Sequence, residues 1–313
     1  MLTLFKARSV ITMNDSLPRA SAVLVRDGVV LEVGEEETMA PWLRHQDYVV
    51  NDQFADKIIC PGFIDPHLHP SMAAVLLPME FITAMRWKLP WGEVEPVTTE
   101  AAFDQRMATL VAEKDPQQPL FIWGYHQLWH GAMSKTRIES IAGRRPTVVW
   151  HRSFHELYMN SSAMEMVGVV AEDIKPGMQI NIERGHFYEG GLGYAINRLN
   201  PWILAPDKYA AGLQRLKQVV HHGGHTSIGD LATGMFNFSA EAEALSQYLE
   251  GDDVPFRTRL VAHGTVLTKG GVPPTQGPEL AEALQQRNSH RLHFGRHIKL
   301  FSDCLLYTSP SPR

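Results

Sequence analysis

An apolar stretch, Ile58-Ile59, is punctuated by Pro61-Gly62 and runs on through Phe63-Ile64 into Asp65-Pro66-His67-Leu68-His69. Alternate residues of an extended chain share a face, so His67 and His69 point one way and Leu68 the other. Two imidazoles placed like this suit one divalent cation. A bare His-x-His is a weak sign by itself. Here its position strengthens it, because the strand delivers Asp65 and both histidines at its carboxyl end, where parallel β/α folds keep their chemistry.

The flanking segments differ in character. Residues 1–60 read as short strands, with Asp27-Gly28 as a two-residue hairpin turn between Val23–Val25 and Val29–Val33. Residues 71–205 are rich in Trp, Met, His and Pro and read as an insertion with αβ structure of its own. Within it, Phe103, Met107, Leu110 and Val111 keep helical spacing behind Thr99, while Leu120–Trp123 and Thr147–Trp150 look like buried strands. A helix over Lys208–His222 carries Tyr209, Leu213, Leu216 and Val220 on one stripe and closes at Gly223-Gly224. The strand Thr226–Asp230, a helix from Ser239 to Glu250, and strands at Arg257–Ala262 and His297–Phe301 follow. Strand and helix alternate, which predicts a parallel sheet.

The segment Pro61–His69 resembles the first metal motif of the amidohydrolase superfamily of metal-dependent barrel hydrolases. The opening strands are similar to the small β-domain that precedes the barrel in those proteins. His155 with Asn160–Met164, and Ile298–Asp303, resemble the YtcJ-like group, also called amidohydrolase family 3. The resemblance implies an α/β fold: an incomplete TIM-type (β/α) barrel of a metal-dependent hydrolase, with a small N-terminal β-sandwich portion and a large α/β insertion after barrel strand one. Domains then run over residues 1–60 and 61–303, with 71–205 inserted. Barrel strands one to four fall near 58–65, 225–230, 257–263 and 297–301, and strands five to eight have no counterpart. Residues 304–313 carry no strand or helix pattern and read as a non-native tail on a truncated chain, which is expected to be inactive.

The same resemblance implies roles for individual residues. His67 and His69 would hold the more buried of one or two divalent ions, with zinc as the default because nitrogen and oxygen ligands suit it. Lys299 would be a further metal ligand, carbamylated so that it bridges two ions. Either face of its strand is open at this stage, and a solvated cation paired with Asp303 is the alternative. Asp65 either supports an imidazole or a backbone N–H, or turns the chain at the strand end. His155 is expected at the active-site mouth as a substrate-binding residue, and Glu189 as ligand, base or substrate clamp, with a surface carboxylate as its alternative. Asn160 and Ser161 are expected to cap a helix. Trp123, Trp129, Trp150 and Trp202 read as core more than as specificity elements, and His126, His130, His290 and His293 follow no ligand pattern. The catalytic aspartate expected in the second half of a barrel has no candidate here.

The implied reaction is hydrolysis of non-peptide carbon–nitrogen bonds in small amides, N-acyl or N-formyl compounds by metal-activated water. Deamination or ester hydrolysis on the same metal site is a rival, and a catalytically inactive fragment or scaffold is another. Composition narrows the remaining classes. A net charge of −5 with interspersed signs excludes a nucleic-acid footprint, so the expected partner is a small-molecule substrate, and a homodimer stays open. Cys60 and Cys304 alone form no disulfide framework, which fits a cytoplasmic protein. No apolar run reaches signal-peptide or membrane-spanning length.

Overall fold

Buried Leu2, Leu4, Ala7 and Val10 punctuate the first strand, β1 (Leu2–Ile11), which becomes the middle of a sheet. The structure, a computed structural model, describes residues 1–264 and 273–300. The chain divides into two compact units, Met1–Phe63 and Ile64–Arg313.

In the first unit β2 (Arg19–Arg26) pairs antiparallel with β1 and with β3 (Val29–Gly34). Asp27 and Gly28 join β2 to β3 with φ of 51° and 81°, the left-handed pair that a tight hairpin with the sheet's own twist requires. After a short helix α1 (Ala40–Leu43), β4 (Tyr48–Ile59) adds parallel to β1, giving the order β3-β2-β1-β4. Met39, Leu31 and Leu43 cover Leu2, Leu4 and Leu24. These residues cover that face of a single four-stranded sheet.

The second unit contains two larger sheets. Strands β5 (Phe63–Leu68), β14 (His225–Thr233), β15 (Arg257–His263) and β16 (Leu292–Lys299) lie in the order β16-β15-β14-β5. Both β14–β15 and β15–β16 are parallel. Between β5 and β14 the chain builds helix α2 (Pro70–Leu76), strand β6 (Glu80–Phe81), the hairpin β7 (Trp87–Leu89) and β8 (Gly92–Val94), and helix α3 (Glu100–Glu113). Strand β9 (Leu120–Tyr125), helices α4 (Gln127–His130) and α5 (Lys135–Ala142), and strands β10 (Thr147–His151) and β11 (Glu156–Met159) follow. Then come α6 (Ser161–Met166), β12 (Ile180–Asn181), β13 (His186–Tyr188), α7 (Gly190–Ile203) and α8 (Pro206–His222). Six of these strands form a second sheet, β12-β13-β11-β10-β9-β6, so the segment has the αβ structure of its own that its sequence predicts. Helices α9 (Phe238–Leu249) and α10 (Gly277–Gln285) complete the unit.

One continuous apolar core joins Ile228, Leu260, Ala262, Leu292 and Phe294 of the strands to Leu213, Leu216 and Val220 of α8 and Leu245 and Leu249 of α9. These are the helical stripes visible in the sequence. Gly212 lets α8 approach α2, because a Cβ there would lie 1.9 Å from the Ala74 carbonyl oxygen.

Two predicted strands move. Ile58 and Ile59 pair with Ser9 and Val10 at the end of β4, and Ile58 is 50% exposed, so the strand leading to the histidines starts only at Phe63. Pro61 lacks the N–H that would carry the ladder across this point. Strand four starts at Leu292, five residues before its expected start at His297, because Leu292 and Phe294 pair with Thr258 and Leu260 and are buried. Phe301, Asp303 and the tail 304–313 lie outside the described residues. Among the described residues β16-β15-β14-β5 form an open sheet, with no closed barrel.

Candidate functional site

The sheet β16-β15-β14-β5 gathers chemically active residues at one end. His67 and His69 stand at the carboxyl end of β5, Asp230 near that of β14, His263 at that of β15 and Lys299 at that of β16. The register sets His263 beside Lys299 and Ala262 beside Ile298. Ala262 belongs to the helix-covered core, so alternation turns Lys299 to the opposite face and settles the face the sequence leaves open.

The two imidazoles of the His-x-His motif approach edge to face, with ring centroids 5.1 Å apart. Asp65 Oδ1 accepts a hydrogen bond from the His67 backbone N–H at 3.0 Å, so it fixes the turn that presents the histidines. His69 Nδ1 is buried without a hydrogen-bond partner and lies 3.6 Å from Asp230 Oδ1. Asp230 is 1% exposed. Its Oδ1 accepts from the Ala232 N–H at 3.0 Å and its Oδ2 from the Thr233 hydroxyl at 2.7 Å. A divalent cation fits this donor chemistry: an Nδ1–H directed at a carboxylate leaves Nε2 as a metal-ligating lone pair. Among the described residues no group of three or more His, Cys, Asp or Glu is arranged to hold an ion.

A second concentration of chemistry lies in a cleft of about 740 Å³ along the six-stranded sheet. Its lining includes His126, His151, His155, Glu156, His186 and Glu189. The predicted substrate-binding residues meet there: His155 Nδ1 lies 3.3 Å from Glu189 Oε2, and the Glu189 N–H donates to the His155 carbonyl oxygen at 2.9 Å. Glu156 holds His186 Nε2 at 2.5 Å, and the His186 ring stacks on Tyr158 with centroids 4.3 Å apart. His151 is bracketed by Ser153 Oγ at 2.7 Å and Gln127 Oε1 at 3.1 Å. Three residues of this region carry left-handed backbone: Phe154, Gln179 and Glu189, with φ of 62°, 58° and 45°. Strain of this kind in non-glycine residues concentrates where function holds it in place.

Burial dominates the electrostatics of the cleft. It pushes the His151 imidazole down to about 4, against a smaller opposing pull from Glu156, and lowers His126 as well. For Glu156 burial alone would raise the carboxyl, but the His186 hydrogen bond and the nearby imidazoles together hold it below its usual range. Burial lifts the Tyr125 phenol to about 12.

Asn160 caps α6 as expected, its Oδ1 accepting from the Ala163 N–H at 3.0 Å. Trp123 and Trp150 are core and Trp202 packs half-buried against it, but Trp129 is 37% exposed and so is not core as expected. His126 lines the cleft although its sequence context showed no ligand pattern, whereas His130 is buried and bonded to the Val97 carbonyl oxygen. Asp230, Glu156 and His186 were not singled out by the sequence. For Asp230 the available signal was a lone carboxylate ending the apolar run Ile228-Gly229. For Glu156 and His186 there was none, since only strand pairing between β11 and β13 brings them together.

No family model matches the chain. It is similar to the Exoenzymes regulatory protein AepA of Pectobacterium carotovorum subsp. carotovorum, 24% identical over 262 residues that cover 79% of this chain and 52% of the relative. It is also similar to Protein LONG AFTER FAR-RED 3 of Arabidopsis thaliana, 23% identical over 228 residues, covering 71% of this chain and 37% of that one. The chain thus spans about half or less of the length of these curated relatives. Among solved structures it superposes on an uncharacterized metal-dependent hydrolase from Pyrococcus horikoshii OT3 with a TM-score of 0.66 and 17% identity, over 94% of this chain and 53% of that one. Over that matched half the two share a fold. A metal-dependent hydrolase from Pyrococcus furiosus matches in the same way, with a TM-score of 0.63, 17% identity, and coverage of 94% and 55%. In the described residues no helix is long and apolar enough to cross a membrane.

Proposed function

We propose that this chain belongs to a metal-dependent hydrolase of the YtcJ-like amidohydrolase type that acts on carbon–nitrogen bonds of small amides. The observation that carries the reading is the His67–His69 pair at the carboxyl end of β5, with His69 Nδ1 buried beside Asp230. Support for the fold comes from the two Pyrococcus structures.

In this reading His67 and His69 hold a divalent ion, with zinc as the assigned metal, and Lys299 contributes from β16. When bound, such an ion supplies Lewis acidity, lowering the pKa of water and polarising a carbonyl. The residues of the chain do the rest. Asp65 fixes the turn of His67 through its backbone N–H. Glu189 orients His155, and the pair binds substrate in the cleft. A cleft of about 740 Å³ with alternating imidazoles and carboxylates suits a compact polar substrate.

The test is a panel of N-formyl and N-acyl amides incubated with zinc-loaded full-length enzyme from the same gene. The reading expects turnover that disappears in His67→Ala and His69→Ala and shows a raised KM in Glu189→Gln. Turnover unaffected by either histidine substitution would contradict it.

A further inference from the structure

The buried carboxylate of Asp230 has no Lys or Arg ion pair among the described residues; its one ion-pair neighbour there is His69. A buried charge without compensation is strongly unfavourable, as is a buried ring nitrogen without a hydrogen bond. The unpartnered ring nitrogen of His69 faces this buried carboxylate across 3.6 Å, just beyond hydrogen-bond reach. We propose that Asp230 is a positioning residue of the metal centre: it accepts a hydrogen bond from Nδ1–H of His69 and so directs Nε2 of that imidazole at the cation. The inference rests on the metal-centre reading above and adds a residue to it.

Three further features hold Asp230 in this role. Its carboxylate is pinned at both oxygens by Ala232 and Thr233, so it cannot swing away to find another partner. The register of β14 against β15 slips between Asp230 and Thr233, which pair with Leu260 and Ala262. Three steps on β14 therefore match two on β15, a bulge of the kind that re-aims a side chain at a strand end. Finally, a Cβ at Gly229 would lie 2.7 Å from the Pro66 carbonyl oxygen. Only glycine lets β14 press this closely against β5, which is what brings Asp230 to His69.

A purely structural Asp230 would pin its own loop and leave the protonation pattern of His69 indifferent to it. The tautomer of His69 in the metal-free full chain therefore decides between the two roles. Histidine-selective nitrogen-15 spectra, with the His69 signals assigned from His69→Gln, are expected to show the proton on Nδ1. Asp230→Asn keeps an acceptor oxygen and is expected to retain that tautomer. Asp230→Ala is expected to lose it and to weaken zinc binding, measured by chelator competition, by about 10- to 100-fold. Asp230→Asn should fall between Asp230→Ala and the unsubstituted chain in affinity. A proton on Nε2 in the unsubstituted chain, or tautomer and affinity both unchanged in Asp230→Ala, would overturn the inference. If Asp230→Ala does not fold, the unsubstituted chain and Asp230→Asn still decide. Nδ1–H on His69 in a chain that binds no zinc would leave the pairing standing and sink the metal-centre reading instead.

Discussion

At the scale of single residues, the cleft is built from groups that hold unusual states. His151 has a folded pKa of about 4, well below the ordinary 6.5, because it is buried. The sign of its effect on stability follows directly: between these values the unfolded chain binds a proton that the folded chain does not. The contribution is complete above pH 6.5 and is lost as pH falls toward 4. At about 1.4 kcal/mol per unit, the loss is on the order of 3 kcal/mol. Urea unfolding at successive pH values should show this decline, and His151→Gln should flatten it; an equally steep decline in His151→Gln would refute the assignment. Glu189 illustrates a different tension. Its φ of 45° suits glycine, so Glu189→Gly is expected to stabilise the fold by about 1 kcal/mol while removing the carboxylate that orients His155. Thermal unfolding and KM measured on the same variant check both halves.

At the scale of elements, the chain was legible wherever local chemistry decided the outcome. The Asp27-Gly28 turn, the Thr99 cap of α3, and the stripe Tyr209–Val220 of α8 all occur where the sequence puts them. Where pairing with distant residues decided, the sequence was silent. Leu292 and Phe294 extend β16 because Thr258 and Leu260 offer partners, and Ile58 leaves the strand of the histidines because Ser9 holds it. Two substitutions test the packing argument. Asn160 caps α6, accepts from the Thr147 N–H at 3.0 Å and donates to the Arg145 carbonyl oxygen at 2.7 Å, all while fully buried. Asn160→Ala is therefore expected to lower stability by about 2–4 kcal/mol in chemical denaturation. Gly212→Ala forces α8 away from Ala74 and should cost about 1–3 kcal/mol, with little change if the helices can separate freely.

At the scale of the whole molecule, the His-x-His motif is visible in local sequence, because its two imidazoles lie within three residues of each other. Asp230 has to be delivered by a second strand more than 150 positions away, and no pattern in one sequence can show that. The same holds for the cleft, whose histidines and carboxylates come from three strands and the loops between them. A folded chain that binds zinc at His67 and His69 gains stability by mass action, about 2.7 kcal/mol at a free concentration one hundred times Kd. The most direct measurement is the zinc content of the folded chain after equilibrium dialysis, taken for the unsubstituted protein and for the double variant His67→Ala/His69→Ala. The account predicts a bound ion that is retained by the first and lost from the second while both remain folded. Equal zinc content in the two would contradict it.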